Sequence, residues 1–295
     1  MDEFSVILKA RQFIRDAGIS SIPVDIEKYA TAAKAKIKVS FDLDEQESGQ
    51  TFPLAGKHII TTNGNHREER QRFTVLHEIA HIVLELPSQH HGTNITTSDL
   101  VSYRRRPKEE ILCDVFAAEC LLPYDQFRRD VENVDVSLDE VKELANRYKA
   151  SVTSTGSRFA VNCNAPCAFV LMEHGKIRYV SMSKFLRELN GWIDFGIPIP
   201  KGSVVDRISK SASAIQDYDE IPVDVWFTNG VKGYDLLTEE AMTLREWEQC
   251  LSLIWFDDDL SPTEQSRNQY QDVDAPLLEE LDGVLPWPSK SRRKK

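Results

Sequence analysis

The chain has 295 residues, 41% of them hydrophobic, which is enough to bury one or two cores without covalent staples. A net charge of -11 argues against a surface given over to nucleic acid or anionic lipid, the tail SKSRRKK at 289–295 being the basic exception. Five scattered cysteines, an acidic opening MDEFSVILKARQF without a signal-like apolar run, and no stretch of membrane-spanning length predict a reduced, cytoplasmic protein.

In chain order, Phe4, Ile7, Leu8, Ala10 and Ile14 fall in a helical pattern, and Pro23 and Asp25 mark the entry to a second helix. KIKVSFDLD alternates Ile37, Val39, Phe41 and Leu43 against polar neighbours, the period of a half-buried strand. ESGQTF and GKHIITTN read as short strands after it. HREERQRFTVLHEIAHIVLELP is predicted helical up to Pro87, with Phe73, Leu76, Ala80, Val83 and Leu84 as its apolar stripe and two histidines along the margin. SQHHGTNITTSDLVSYRRR lacks any period and reads as a loop, and Pro107 then opens a helix that ends at Pro123. Residues 137–160 predict two helices joined by a short turn. CAFVLMEHGKIRYVSM predicts two strands about a His174-Gly175 turn, VDVWFTN predicts another strand, and LREWEQCLSLIWF fits a strand or a helix equally. Beyond residue 256 the chain is polar and acidic, and a mobile tail is expected.

The chemistry concentrates in RFTVLHEIAHIVLE. His77 and His81 are four apart, so on a helix they stack on one face with imidazoles able to converge on one ion. Glu78 lies about 100° further round, where its carboxylate would stand beside a metal-bound water instead of on the metal. H-E-x-x-H arises by chance in roughly one chain in a hundred of this size, so the spacing alone does not establish a site. A catalytic zinc needs a third protein ligand and an open position. The helix after Pro107 offers Glu110, with Glu109 and Asp114 as rivals; Asp114, one turn on, is also placed to accept from the second nitrogen of a ligating histidine. The bland alternative is two partly buried histidines and a glutamate that favours a helix N-terminus.

The other candidates carry less. Cys163 and Cys167 have three residues between them and no second pair, unlike a zinc knuckle, and Cys113 and Cys120 share one helix face as packing residues do. His90, His91, Tyr103 and Tyr124 have no spacing that assigns them a role.

Taken together, IPVDIEKYA, ESGQTF, RFTVLHEIAHIVLE and EILCDVFAAECLLP resemble the ImmA/IrrE family of zinc metallopeptidases over about residues 4 to 125. The resemblance implies zinc held by His77, His81 and Glu110, with manganese as the alternative metal, Glu78 as general base, and Asp114 behind a ligand where the family usually has Asn or Asp. Ile79-Ala80 replaces the commoner Leu-Gly or Leu-Ala, and Cys113 stands where Ala is usual. Peptide deformylases share H-E-x-x-H but need a cysteine upstream of it, and every cysteine here lies downstream.

The expected architecture is α+β: a zincin-like metallopeptidase domain over 1–125, a helix-turn-helix-like pair over 126–160, a mixed α/β domain over 161–256, and an acidic linker with basic tail over 257–295. The order resembles the IrrE branch, which implies a GAF-like sensor in the third part, with a ligand the sequence does not name, and a helix-turn-helix repressor as protein substrate. The rival classes are a repressor-binding sensor without proteolysis and a DNA-binding regulator. Direct DNA binding is not expected, because SVTSTGSRFA offers Arg158 as its one basic side chain.

Overall fold

Helices α1 (Glu3–Asp16) and α2 (Ile26–Ala32) each start on an aspartate whose carboxylate accepts from a backbone N–H three residues on, Asp2 from Ser5 and Asp25 from Lys28. The computed structural model describes residues 1–54, 56–87, 107–211, 213, 215–244 and 248–257, all within one compact unit. The loop expected over 88–106, with His90, His91 and Tyr103, and the tail from 258 onward lie outside the described residues. Among the described residues no helix is long and apolar enough to cross a membrane.

Strands β1 (Ala35–Ser40), β2 (Gly49–Leu54) and β3 (Lys57–Asn63) form a sheet in the order β1-β3-β2, with β1 parallel and β2 antiparallel to β3. The alternation expected through Leu43 stops sooner: β1 ends at Ser40, and Val39 and Phe41 are 48% and 68% exposed. β1 is an edge strand, and the Phe41 ring turns onto Gly64, where an added Cβ would sit 2.6 Å from it.

Helix α3 (Glu68–Leu84) ends at Glu85, in a left-handed conformation with φ 54°. It packs along α4 (Lys108–Leu121), which begins after Pro107 and also contacts α1. Helix α5 (Tyr124–Val131) was not anticipated; of its eight residues only Phe127 and Val131 are buried, too few apolar positions to show a period. The expected pair follows as α6 (Leu138–Tyr148) and α7 (Val152–Asn162), capped by Ser137 and Ser151.

The second sheet comprises β4 (Cys167–Glu173), β5 (Lys176–Met182), β6 (Gln216–Pro222), β7 (Leu236–Leu244) and β8 (Gln249–Trp255), antiparallel throughout in the order β5-β4-β8-β7-β6. β4 is buried along its whole length because both its faces are covered. Phe169 and Leu171, with Leu251 and Leu253 of β8, join the core that begins at Val6; Ala168, Val170 and Met172 join a second core with the helices α8 (Lys184–Glu188) and α9 (Val204–Ser209). At Gly156 α7 lies so close to β4 that a Cβ would meet the Phe169 ring at 2.2 Å.

VDVWFTN is not a strand. Val223–Val225 form a 3₁₀ turn, and Val223, Trp226 and Phe227 are buried at the three-to-four-residue spacing of a helical turn. The strand is the preceding acidic segment, β6. β7 was missed because acids interrupt its pattern. Glu239 within it is buried, and it accepts from the Val204 and Val205 N–H groups, the Trp226 indole and the Ser252 hydroxyl at 2.8–3.1 Å. LREWEQCLSLIWF resolves to a strand from Gln249 onward.

Candidate metal centre

Helical spacing places His77 and His81 one turn apart on α3, and packing against α4 buries both. Ala80 on α3 and Cys113 and Ala117 on α4 are small and fully buried, so the two helices approach closely. Glu110 enters from the first turn of α4. His77 Nε2 lies 3.1 Å from Glu110 Oε2 and 3.2 Å from His81 Nε2, and His81 Nε2 lies 3.6 Å from Glu110 Oε1. The three donor atoms fall within 4.8 Å of one another, so these residues can hold a metal ion.

The outward nitrogens fix the rings. His77 Nδ1 is 2.8 Å from Asp114 Oδ1, and His81 Nδ1 is 3.3 Å from the Leu86 carbonyl oxygen. When a ring is neutral and donates outward from Nδ1, its Nε2 turns a lone pair inward, and two such lone pairs 3.2 Å apart repel unless a proton or a cation lies between them. Burial alone would lower His77, yet hydrogen bonds to Asp114 and Glu110 outweigh it and raise its pKa to about 10. Burial likewise opposes ionisation of Glu110, and the two histidines carry it well below the usual carboxylate range. The pocket is built for positive charge, and two imidazoles with one carboxylate are the donor set of a hydrolytic zinc site.

Glu78 stands beside this group without joining it. Its side chain is buried, and Oε2 accepts a 2.6 Å hydrogen bond from Thr51 Oγ1 on the edge strand β2. Gly49 makes that approach possible, since a Cβ there would lie 2.7 Å from Thr74 of α3 and 2.6 Å from the Thr61 carbonyl oxygen. Of the rivals to Glu110, Glu109 is partly exposed and outside the three-donor group, and Asp114 lies on the Nδ1 side of His77.

Sequence reasoning missed Thr51, because a threonine in a strand carries no signal of its own. It also missed Glu119, a fully buried carboxylate on α4 that takes Arg11 of α1 at 2.8 Å and Arg158 of α7. Tyr124 has the Arg11 guanidinium over its ring, and Cys113 and Cys120 are packed in the core as expected.

The fold is mixed α and β, and it buries a group of three side chains able to hold a metal ion. Residues 32–159 match the family model of the IrrE N-terminal-like domain. The match covers less than half of the chain, and over that segment the chain is similar to the IrrE N-terminal-like domain. Among curated proteins it is similar to the radiation response metalloprotease IrrE of Deinococcus radiodurans, 29% identical over 123 residues, 40% of this chain and 36% of that one. It is also similar to IrrE of Deinococcus deserti, 35% identical over 101 residues, 33% of this chain and 34% of that one. The matches thus span about a third of the length of these curated relatives. A solved structure of a Mycobacterium tuberculosis transcriptional regulator superposes with a TM-score of 0.55 at 14% identity, covering 85% of this chain and 76% of that one, a likeness of fold alone.

Proposed function

We propose that the protein is a zinc-dependent metalloendopeptidase that cleaves a protein substrate, with manganese as the alternative metal. The observation that carries this reading is the convergence of His77, His81 and Glu110 with the buried Glu78 carboxylate alongside. His77, His81 and Glu110 would hold the zinc, which when bound would supply Lewis acidity to a scissile carbonyl and to a water. Asp114 holds His77 in the tautomer that presents Nε2 to the metal. Thr51 holds Glu78 by Oε2, and Glu78 takes the proton of the attacking water at Oε1 and passes it to the leaving amine.

The substrate we propose is a helix-turn-helix repressor, the class that the family resemblance implies. In this reading residues 1–125 are the peptidase part, 126–160 a structural bridge, and 161–256 a GAF-like sensor for a ligand yet to be named, in a cytoplasmic protein. The single antiparallel sheet with helices packed on it supports the sensor reading. The bridge reading is supported by Arg158, whose guanidinium is committed to the buried Glu119 instead of being offered to DNA.

The test is metal analysis of the purified protein, together with incubation of the wild type and Glu78→Gln with a helix-turn-helix repressor encoded beside it. Cleavage by the wild type alone, with about one metal in both proteins, is expected. Cleavage by Glu78→Gln at the normal rate would remove Glu78 from its role, and failure of the wild type to take up zinc would remove the centre itself.

A further inference from the structure

A cleft of about 400 Å³ opens at one end of the second sheet, between the end of β4, the end of β7 and the start of β8, against the C-terminal end of α9. None of its lining residues belongs to the metal centre. Its apolar wall is Met172 and Ile208, both in the second core, with Ile199 packed against that core. The Ile199 N–H donates to the Gly175 carbonyl at 3.1 Å, so the wall is tied to the turn between β4 and β5. The volume suits a small molecule and excludes a folded partner.

The charge of the lining has one sign. Glu173 and Glu248 carry it, and among the described residues no lysine, arginine or histidine lines the cleft. Glu173 is 7% exposed. Its Oε1 accepts from Gln249 Nε2 at 3.2 Å, and Arg178 Nε, from outside the lining, comes no nearer to Oε2 than 3.6 Å, longer than a hydrogen bond. A carboxylate has about four acceptor positions, so Glu173 keeps capacity for a further donor. Glu248 stands at the rim with most of its side chain in water, and His174 Nδ1 meets its Oε2 at 3.0 Å from outside the lining. α9 reaches the cleft by its C-terminal end, at Ser209 and then Ser211, the helix end that favours cations. A phosphate or carboxylate ligand would be buried against Glu173 with no cation of the lining to offset either charge.

We propose that this cleft is a binding site for a small organic cation, an alkylammonium whose aliphatic body lies on Met172, Ile199 and Ile208 and whose charged head donates to Glu173. Glu248 adds attraction at the rim. Regulation by such a ligand rests on the sensor reading of residues 161–256; the site itself does not. The physical route for it is β8, where Gln249 and Cys250 line the cleft and Leu251 and Leu253 pack in the core shared with α4 and α7.

The probe is hexylamine, with 1-hexanol and hexanoate as the same body carrying a neutral and an anionic head, each titrated calorimetrically into the full-length protein. Hexylamine should bind at a single site, 1-hexanol roughly 10-fold more weakly and hexanoate not at all. Cys250 lines the cleft and is the one cysteine not buried, so it reports the place of binding. Bound hexylamine should slow its modification by methyl methanethiosulfonate, read as the mass of the peptide that contains it. Glu173→Gln should weaken hexylamine about 10-fold and leave 1-hexanol unaltered. No binding of hexylamine would overturn the proposal, as would equal binding of hexylamine and 1-hexanol, or binding that leaves Cys250 modified at its free rate. The wild-type series decides this even where the variant does not fold. Binding as expected with repressor cleavage unchanged would support the site and remove the sensor reading.

Discussion

His77 and Glu78 are sequence neighbours that face different tasks, and the difference lies in what each touches. His77 is gripped at Nδ1 by Asp114 and presents Nε2 to the donor group, whereas Glu78 is tied to a strand 27 residues upstream in sequence. Replacing Asp114 with Asn should weaken zinc binding by about 10- to 100-fold, because the ring loses the charged partner that orients it and raises its basicity. Competition with a chromogenic chelator measures this, and unchanged affinity would detach Asp114 from the site. Thr51→Val should leave metal content unaltered and lower the cleavage rate by roughly 10- to 100-fold, the worth of a hydrogen bond to a charged group, with Thr51→Ser restoring most of it. In metal-free protein the His77 pKa is about 10 against an ordinary 6.5, so its contribution to stability is full below pH 6.5 and is lost as pH rises through about 10. Zinc must displace that proton. Loading the site at pH 7 should therefore release about one proton, seen as a binding heat that varies with the buffer's ionisation enthalpy; a heat independent of buffer would contradict it.

Between elements, two contacts decide how closely the helices pack. Gly156 on α7 leaves no room for a methyl group against Phe169, although the helix is otherwise regular and alanine has the better intrinsic propensity. Gly156→Ala should destabilise by about 1–3 kcal/mol through overpacking, measured as a fall in the denaturation midpoint. Glu119 ties α1 and α7 to α4 through Arg11 and Arg158. Glu119→Ala should cost roughly 2–4 kcal/mol, reduced from the full cost of breaking a buried pair because Arg11 keeps a third of its side chain in water. Local pattern revealed α3, α4, α6, α7, β4 and β5, whose periods or caps are plain in the sequence. It failed for α5, with two buried positions in eight, and for β7, where the buried Glu239 looks like a solvent residue until its four donors are seen.

Across the whole molecule, the core that starts at Val6 continues through α4 and α7 to Leu253 of β8. A chain truncated after residue 160 would strip Phe169, Leu171, Leu251 and Leu253 from that core and leave its apolar surface open. Such a chain should aggregate or unfold without a sharp transition, and cooperative melting at the full-length temperature would show that residues 1–160 close their own core. The sequence by itself determined what depends on near neighbours: two histidines one helical turn apart, a glutamate at the start of the next helix, and serines and aspartates at helix starts. Those follow from backbone periodicity and capping, which act within a few residues. Only the tertiary structure decided that Glu110 meets both imidazoles and that Thr51 reaches Glu78. These pairings are set by how whole helices and strands pack, and packing depends on the joint volume of distant side chains, which no local pattern records.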